Sequence, residues 1–318
     1  MGEAKDSGGR HSFLKEFCIP FLLGAQNSDG GWGFHGQSES RVESTCWALR
    51  ALENASIPVS MECLHGAREY LLKEQLADGS WPAAPHERTG GWVTSLVCGL
   101  WSQQSECEDS VRAGLNWLCK DLPRDSRLWR RLLRRLVLSP DVSEHDESLH
   151  GWGWTPGTSS WVEPTSFALM ALRDCPPPWL PPGSSLRCEL GVRLLYDRIC
   201  PQGGWNCGNP RVYGVEGEPL VLPTAWALLA LRNLPSHEKK SKSLIWLRNT
   251  FGGIQGSASL AIAGIALGAY GVPIPELDIH LEKLLDVRDF LRTTETVSWV
   301  CLALSPKRCW FPVSEGAA

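Results

Sequence analysis

A short apolar segment recurs six times along the chain, and it constrains the fold more than any other feature. Each copy has an aromatic or small residue followed by small and apolar residues; the clear copies are residues 45–52, 165–172, 224–231 and 297–304, and the looser ones are 94–101 and 259–267. Segments with almost no polar face are typical of helices surrounded by protein on all sides. The sequence therefore predicts six buried inner helices.

A more amphipathic segment precedes each copy. These segments are residues 12–25, 61–75, 108–120, 185–199, 239–251 and 277–290. They carry Lys, Arg and Glu on one face and Leu, Ile or Trp on the other, as surface helices do. The alternation predicts an all-α fold in which six outer–inner helix hairpins close into an α/α toroid, an α6/α6 barrel. Closure is favoured over an open solenoid because the copies are few and neither end resembles a polar cap.

The repeat also sets the expected domain organisation. Residues 12–304 are expected to form one toroid domain, between a disordered N-terminal tail (1–11) and a C-terminal tail (305–318). A basic helix is inserted near 124–140, and its segment 127–137 has an apolar stripe opposite five arginines. Such a helix can lie on an anionic membrane, dock a partner protein, or pack on the domain with solvated arginines.

Composition limits the partners and the compartment. The net charge of −4 gives no general reason to expect a nucleic-acid partner, and no apolar run approaches a membrane span. Most of the 12 cysteines lie in apolar helical patterns, among them Cys18, Cys46, Cys98, Cys119 and Cys301, and no Cys-x-x-Cys occurs. This pattern favours reduced core cysteines in a cytoplasmic protein, with peripheral contact to the inner membrane face as an additional expectation.

Gly and Trp concentrate in the loops between helices. Residues 26–32 and 75–81 both read Gln-x-x-Asp-Gly-(Gly/Ser)-Trp, and residues 202–205 are a shorter form, Gln-Gly-Gly-Trp. The Gly residues supply the positive φ that ends a helix sharply, and the Trp ring can cover exposed backbone. For any single Trp of this kind, packing between repeats is the favoured interpretation.

These patterns resemble a known superfamily. The loop pattern resembles the QW motif of squalene–hopene and oxidosqualene cyclases, and residues 224–231 resemble an inner helix of the terpenoid cyclase and protein prenyltransferase superfamily. The resemblance implies the α/α toroid and an isoprenoid-processing enzyme with a central apolar cavity. Acid-initiated cyclisation of a polyprene or triterpene is its most concrete form. Squalene cyclases have two such helical domains, and this chain has the length of one, so a second helical subunit is a possible partner.

Three inner helices carry a glutamate four residues before the aromatic position: Glu43, Glu163 and Glu295. If the ring closes, the first and last inner helices are neighbours, and Glu43 and Glu295 are expected to lie close together. Burial or a like-charge neighbour would raise the pKa of such a carboxyl, as a general acid requires. A glutamate in the first turn also satisfies backbone N–H groups and complements the helix dipole, so a structural role stays open.

The resemblance gives these glutamates the position of the proton-donating aspartate in the Asp-x-Asp-Asp motif of squalene–hopene-type cyclases. The flanking aspartates are absent: Arg41 and Ser44 occupy those places around Glu43. Protein prenyltransferases bind zinc through an Asp, a Cys two residues later and a later His, whereas Cys46 lies one place too late and no His begins the last inner helix. The sequence therefore predicts no metal site and no other cofactor.

Loop side chains on the same rim are the candidates for substrate binding. They are Phe34, His35, Trp152, Trp154, Trp161 and Tyr213. Aromatic faces can line an apolar pocket and stabilise a carbocation, although packing and solvation are the ordinary roles of such residues.

Two other functions stay open: a non-catalytic isoprenoid-binding or scaffold subunit of a larger complex, and a prenyltransferase-like protein. A cavity filled by Met170, Trp226 and Leu229 would argue against an enzyme.

Overall fold

The computed structural model describes residues 12–123, 145–146, 148–274, 277, 279–281, 283 and 292–306. The N-terminal tail, the whole inserted basic segment, most of the sixth outer helix and residues 307–318 lie outside this part of the chain. The expectations for the membrane- or partner-binding helix at 127–137 and for the two tails therefore stay predictions.

The chain divides into two compact units. Unit 1 comprises Met1–Gln75, Ala83–Glu87 and Gly253–Ala318, and unit 2 comprises Leu76–Pro82 and Arg88–Gly252. Within the described residues, the helices of unit 1 are a π-helical turn, Leu14–Cys18, that continues into α1 (Ile19–Gly24), then α2 (Val42–Asn54), α3 (Met61–Lys73), α10 (Ser257–Ala269) and α11 (Thr294–Leu304). Those of unit 2 are α4 (Val93–Leu100), α5 (Glu108–Lys120), α6 (Val162–Asp174), α7 (Ser184–Asp197), α8 (Val221–Leu231) and α9 (Glu238–Thr250).

The all-α class predicted from the repeat is confirmed. Every predicted inner segment is helical, as α2, α4, α6, α8, α10 and α11, and the first five outer segments are helical as well. Short 3₁₀ turns occur at Ser105–Cys107, Pro177–Trp179 and Phe251–Gly253. The sequence did not predict two antiparallel hairpins of two-residue strands, β1 (Trp32–Gly33) with β2 (Ser40–Arg41) and β3 (Arg211–Val212) with β4 (Val215–Glu216).

In unit 1, the first and last inner helices pack directly against each other. The Cys301 thiol of α11 approaches the carbonyl oxygen of Ala51 in α2 at 3.7 Å, and α11 also packs on α10. Nearly every residue of these helices is buried, as their apolar composition predicts. The outer helix α3 is fastened to α2 by an ion pair of 3.0 Å between Arg68 and Glu53.

Unit 2 has the same construction. The inner helix α6 packs between the inner helices α4 and α8, and each of the three also contacts the outer helix that follows it in the chain: α5, α7 or α9. The cysteines that the sequence placed in inner helices, Cys46, Cys98 and Cys301, are buried thiols that form no disulfide, as predicted.

The same hydrogen-bond arrangement occurs in the loops that precede four of the inner helices. The backbone N–H groups of Trp32, Trp81, Trp152 and Trp205 donate to the hydroxyls of Thr45, Thr94, Thr165 and Thr224 at 2.8–3.0 Å. Three of the indole N–H groups reach carbonyl oxygens at the end of the outer helix: those of Leu22, Leu118 and Leu195, at 2.6–2.8 Å. Trp32, Trp152 and Trp205 therefore each tie an outer helix to an inner helix, which is the packing role favoured for them.

Thr165→Val tests this arrangement. The valine has nearly the same shape, but it leaves the buried N–H of Trp152 without its acceptor, so we expect a loss of about 1–3 kcal/mol in the free energy of unfolding. Denaturant unfolding measures the change. Thr158→Val is the control, because its hydroxyl bonds to the Thr155 carbonyl oxygen at an exposed position where water can replace it. Equal effects of the two changes would contradict the proposed role.

Candidate active site

The candidate residues are divided between the two units. Unit 1 contains Glu43, Glu295, Phe34 and His35, and unit 2 contains Glu163, Trp152, Trp154, Trp161 and Tyr213. Unit 1 thus has two candidate carboxyl groups and unit 2 has one, each with aromatic candidates in the same unit.

In unit 1, the packing of α2 against α11 brings Glu43 and Glu295 together. Each lies in the first turn of its helix, and their side chains are hydrogen-bonded to each other. Ionised carboxylates only accept hydrogen bonds, so one member of the pair must carry a proton. The proximity expected from the sequence is therefore present.

Burial is the dominant influence on Glu43 and raises the pKa of its carboxyl above the usual range. The hydrogen bond with Glu295, the positive charge of Arg41 and a hydrogen bond with the Trp47 side chain oppose the shift without reversing it. A carboxyl with a raised pKa keeps its proton closer to neutral pH, which a general acid requires.

Two tryptophans lie one helical turn beyond the carboxyl pair. Trp47 follows Glu43 and Trp299 follows Glu295 by four residues, so each shares a helix face with its glutamate. Their rings meet edge to face, with centroids 5.4 Å apart, and both are buried. Sequence reasoning used both residues only to align the repeats, although their spacing from the glutamates was visible. Their faces could stabilise positive charge that forms beside the pair.

The β1–β2 loop holds Phe34 and His35 at the start of α11. The backbone N–H of Thr294 donates to the Phe34 carbonyl oxygen at 3.0 Å, and its hydroxyl donates to that of Gly33 at 2.7 Å. Thr294 immediately precedes Glu295, so these contacts bring the loop to the carboxyl pair. The Phe34 ring is 44% exposed and meets the His35 ring edge-on at 4.7 Å.

In unit 2, Glu163 lies in the first turn of α6, and burial raises the pKa of its carboxyl to about 7. One turn further on, the Phe167 ring contacts the rings of Trp92 at 5.2 Å and Trp226 at 4.9 Å. Trp92 also contacts Trp154 edge to face at 5.1 Å. Trp92 was not predicted as a site residue, although it follows the pair Gly90-Gly91 in the same way as the other loop tryptophans.

The remaining aromatic candidates have different environments. Trp152 is buried in the packing arrangement of the loops, with the guanidinium carbon of Arg187 4.0 Å from the centre of its ring. Trp161 directly precedes α6 and is 37% exposed. Tyr213 lies at the tip of the β3–β4 hairpin, 74% exposed, with a φ of 51°. Of the predicted aromatic residues, Trp154 is thus the one whose ring contacts Trp92, which in turn contacts Phe167 one helical turn beyond Glu163.

Arg187 supports this loop from α7, and sequence reasoning missed it. It is 6% exposed, and its guanidinium donates to the carbonyl oxygens of Asp121 at 3.1 Å, Gly151 at 3.0 Å and His150 at 3.5 Å. These contacts fix the loop that carries Trp152 and Trp154 against the end of α5.

The described part of the chain contains neither a metal-binding cluster nor a membrane-spanning helix. No cluster of three or more His, Cys, Asp or Glu side chains there could hold a metal ion. No helix within those same residues is long and apolar enough to cross a membrane.

Comparisons with known proteins agree with the resemblance seen in the motifs. No protein-family model matches the chain. The drimenyl diphosphate synthase of Streptomyces showdoensis is 24% identical over 243 residues, which are 65% of this chain and 44% of that protein. The lanosterol synthase of Mus musculus is 36% identical over 92 residues, 26% of this chain and 12% of that protein. The matched regions thus span less than half the length of these relatives.

Solved structures of the type II terpene cyclase MstE from Scytonema have a similar fold. A variant in complex with its product, merosterolic acid A, has a TM-score of 0.56 at 14% identity and covers 93% of this chain and 96% of that one. A second variant, in complex with its substrate geranylgeranyl dihydroxybenzoate, has a TM-score of 0.52 at 16% identity and covers 95% and 81% of the two chains.

By fold and by sequence similarity, the chain is terpenoid cyclase-like. The superfamily resemblance predicted from the loop and helix motifs is confirmed.

Proposed function

We propose that the protein is an isoprenoid-processing enzyme that starts the cyclisation of a polyprene or triterpene by protonating a carbon–carbon double bond. The observation that carries the proposal is the hydrogen-bonded pair of Glu43 and Glu295 beside Trp47 and Trp299. The similarity to cyclases in both sequence and fold supports the same class of reaction.

The two glutamates have different roles in the proposed reaction. Protonated Glu43 gives its proton to one alkene carbon, whose π electrons form the new C–H bond, and the adjacent carbon becomes a cation. Glu295 is also protonated in this state, so its O–H and the Trp47 indole N–H donate hydrogen bonds to the Glu43 carboxylate that remains and stabilise it. The faces of Trp47 and Trp299 stabilise the cation until the ring closes, and a proton then leaves carbon for water to give a new alkene. Solvent then returns a proton to Glu43.

The proposal also includes the predicted toroid, the identity of the loop motif and the location of the protein. We propose that residues 12–304 form one α/α toroid, supported by the packing of the first inner helix on the last. The loop motif is assigned as a QW motif on the recurrent Trp–Thr hydrogen bonds. We also propose a cytoplasmic location. Segment 127–137 would bind a membrane surface or a second helical subunit.

A substrate panel tests the function. The purified protein is incubated with geranylgeranyl dihydroxybenzoate (the substrate in the MstE complex), squalene and oxidosqualene, and extracts are analysed by mass spectrometry. A cyclic isomer of one compound is the expected result. The absence of a product from all three, together with recovery of the unchanged compound bound to the protein, would contradict the enzyme and favour a binding protein.

A specific observation favours that second candidate, a non-catalytic isoprenoid-binding or scaffold subunit. Met170, Trp226 and Leu229 are 1%, 2% and 5% exposed, so protein surrounds these side chains in the interior of unit 2. Their burial favours ligand contact at exposed positions of unit 2 over contact with these three side chains. The prenyltransferase-like alternative requires bound zinc, which elemental analysis of the purified protein would detect.

A further inference from the structure

Unit 2 exposes apolar side chains where three neighbouring inner helices begin. Trp92, Trp161 and Leu220 are the residues that directly precede α4, α6 and α8, and Trp154 packs against Trp92. Leu220 is 48% exposed, Trp161 is 37% exposed, and Trp92 and Trp154 are half-buried. Together with Glu163, which follows Trp161 by two residues, these four side chains are called the unit 2 rim.

Backbone hydrogen bonds hold the rim in place. The N–H of Trp92 donates to the Trp154 carbonyl oxygen at 3.2 Å. The N–H groups of Val162 and Leu220 donate to the carbonyl oxygens of Cys207 and Trp205, at 3.3 Å and 2.8 Å. The exposed apolar groups are therefore on fixed backbone at helix starts. Exposed, fixed apolar surface of this kind is typical of a binding site.

The charges around the rim favour a neutral ligand. Helices α4 and α8 contain no charged residue, and the charged residues of α6 other than Glu163 lie at its far end. The Cys207 thiol is a titratable neighbour from the adjacent loop, and burial together with the charge of Glu163 raises its pKa, so it stays neutral. Two further acidic groups lie beside the rim: Glu218, two residues before Leu220, and Asp121, which lines the small cavity next to Trp92. A protonated Glu163 offers nothing to a cation, and an ionised Glu163 would repel an anion.

The enclosed space at the rim is small. The cavity between Trp92, Trp152, Pro164 and Ala168 has a volume of about 10 Å³, which is enough for one water molecule. A hydrocarbon chain would therefore lie across the exposed ring faces and cover the carboxyl of Glu163.

We propose that the unit 2 rim binds the hydrocarbon chain of an isoprenoid and that this binding takes up one proton at Glu163. The isoprenoid nature of the chain rests on the proposed function, whereas the proton uptake rests on the rim alone. In this proposal Glu163 is a binding residue, and the acid of the reaction is Glu43.

The coupling has a definite sign. In the free protein, burial already raises the pKa of Glu163 to about 7. A hydrocarbon that excludes more water raises it further, so the bound protein holds the proton over a wider pH range. Below pH 7 the free protein is already protonated and binding is independent of pH; above pH 7 binding must include a proton and weakens by about tenfold per pH unit.

Geranylgeraniol is a suitable probe because it is uncharged throughout this range. We expect its dissociation constant to be about tenfold larger at pH 8 than at pH 6 for the wild type. Glu163→Gln should bind as tightly at both pH values as the wild type does at pH 6. Glu189→Gln, at an exposed position of α7, is the control and should keep the tenfold change.

Calorimetry in buffers of different ionisation enthalpy counts the protons directly. At pH 8 the wild type should take up close to one more proton per bound geranylgeraniol than Glu163→Gln does. The difference between the two proteins isolates Glu163 from other titrating groups. Trp154→Leu should weaken binding at pH 6 about tenfold, which corresponds to about 1.4 kcal/mol, without changing the circular dichroism spectrum, because one aromatic contact with the hydrocarbon is lost.

Several outcomes would overturn the proposal: no binding at pH 6, a wild-type affinity independent of pH, or an equal proton uptake by Glu163→Gln. Failure of the proposed function is distinguishable from these. Proton-linked binding without a cyclic product from any tested polyprene would leave the rim proposal intact and remove the enzyme. Cyclisation together with pH-independent binding would support the enzyme and overturn the rim proposal.

Discussion

Glu43→Gln is expected to lower the rate of cyclic product formation by at least about 100-fold. Glutamine has nearly the same shape and keeps a hydrogen bond to Glu295, but its amide cannot transfer a proton to carbon. A positioned general acid contributes about 10²–10⁴-fold to a rate, and an isolated alkene has no easier route to a cation. Turnover of whichever polyprene gives a product in the substrate panel measures the effect.

The control for this change is Glu62→Gln. Glu62 also lies in the first turn of a helix of unit 1, but it is exposed and belongs to the outer helix α3. If first-turn glutamates acted only on the helix dipole, both changes would give the same small loss of stability and no specific loss of turnover. Undiminished turnover by Glu43→Gln would remove Glu43 as the acid.

Arg187→Met is expected to cause the largest loss of stability, roughly 3–5 kcal/mol in the free energy of unfolding. Methionine fills part of the volume but leaves the carbonyl oxygens of Asp121 and Gly151 without their donor. It also removes the cation above the Trp152 ring, 4.0 Å from its centre. Thermal and denaturant unfolding measure the change.

Arg193→Met is the matched control for that prediction. Arg193 lies on the same helix, its side chain is 57% exposed, and it reaches Glu189 only at 4.0 Å. Exposed pairs of this kind contribute little, so we expect a change below about 0.5 kcal/mol. A similar small effect for Arg187→Met would show that the three carbonyl contacts do not hold the loop.

The helices could be predicted from sequence because the repeat carries a local signal. Small and apolar residues at nearly every position define buried helices, and Asp-Gly or Gly-Gly marks their boundaries. The proximity of Glu43 and Glu295 followed from one further assumption, that the first and last inner helices are neighbours, and those two helices do pack together. This long-range contact could be predicted because the repeat left only the order of the inner helices to be assumed.

The sequence did not indicate in the same way which aromatic residues are buried in the loop packing and which contact other rings. Trp152 and Trp154 stand two residues apart in one Gly-Trp-Gly-Trp stretch, yet one is buried under Arg187 and the other contacts Trp92. Their difference depends on which backbone group meets Thr165 and on a guanidinium that comes from α7. Neither interaction produces a local sequence pattern, so Arg187 could not be predicted as a site residue and Trp92 had only a weak signal.

The two carboxyl sites also differ in a way that sequence alone could not show. Glu43 and Glu163 occupy the same place in the repeat, but Glu43 has a carboxyl partner and a nearby arginine, whereas burial alone raises the pKa of Glu163. For this reason we assign proton transfer to the pair and ligand-linked protonation to the single group.

Product formation in heavy water tests the central claim most directly. If Glu43, exchanged with solvent, protonates a carbon–carbon double bond, each cyclic product molecule made in D₂O must carry one deuterium on carbon. Its mass would then be one unit higher than that of the product made in H₂O, and Glu43→Gln would abolish its formation. A cyclic product of unchanged mass would contradict acid-initiated cyclisation, and the absence of any product would contradict the enzyme itself.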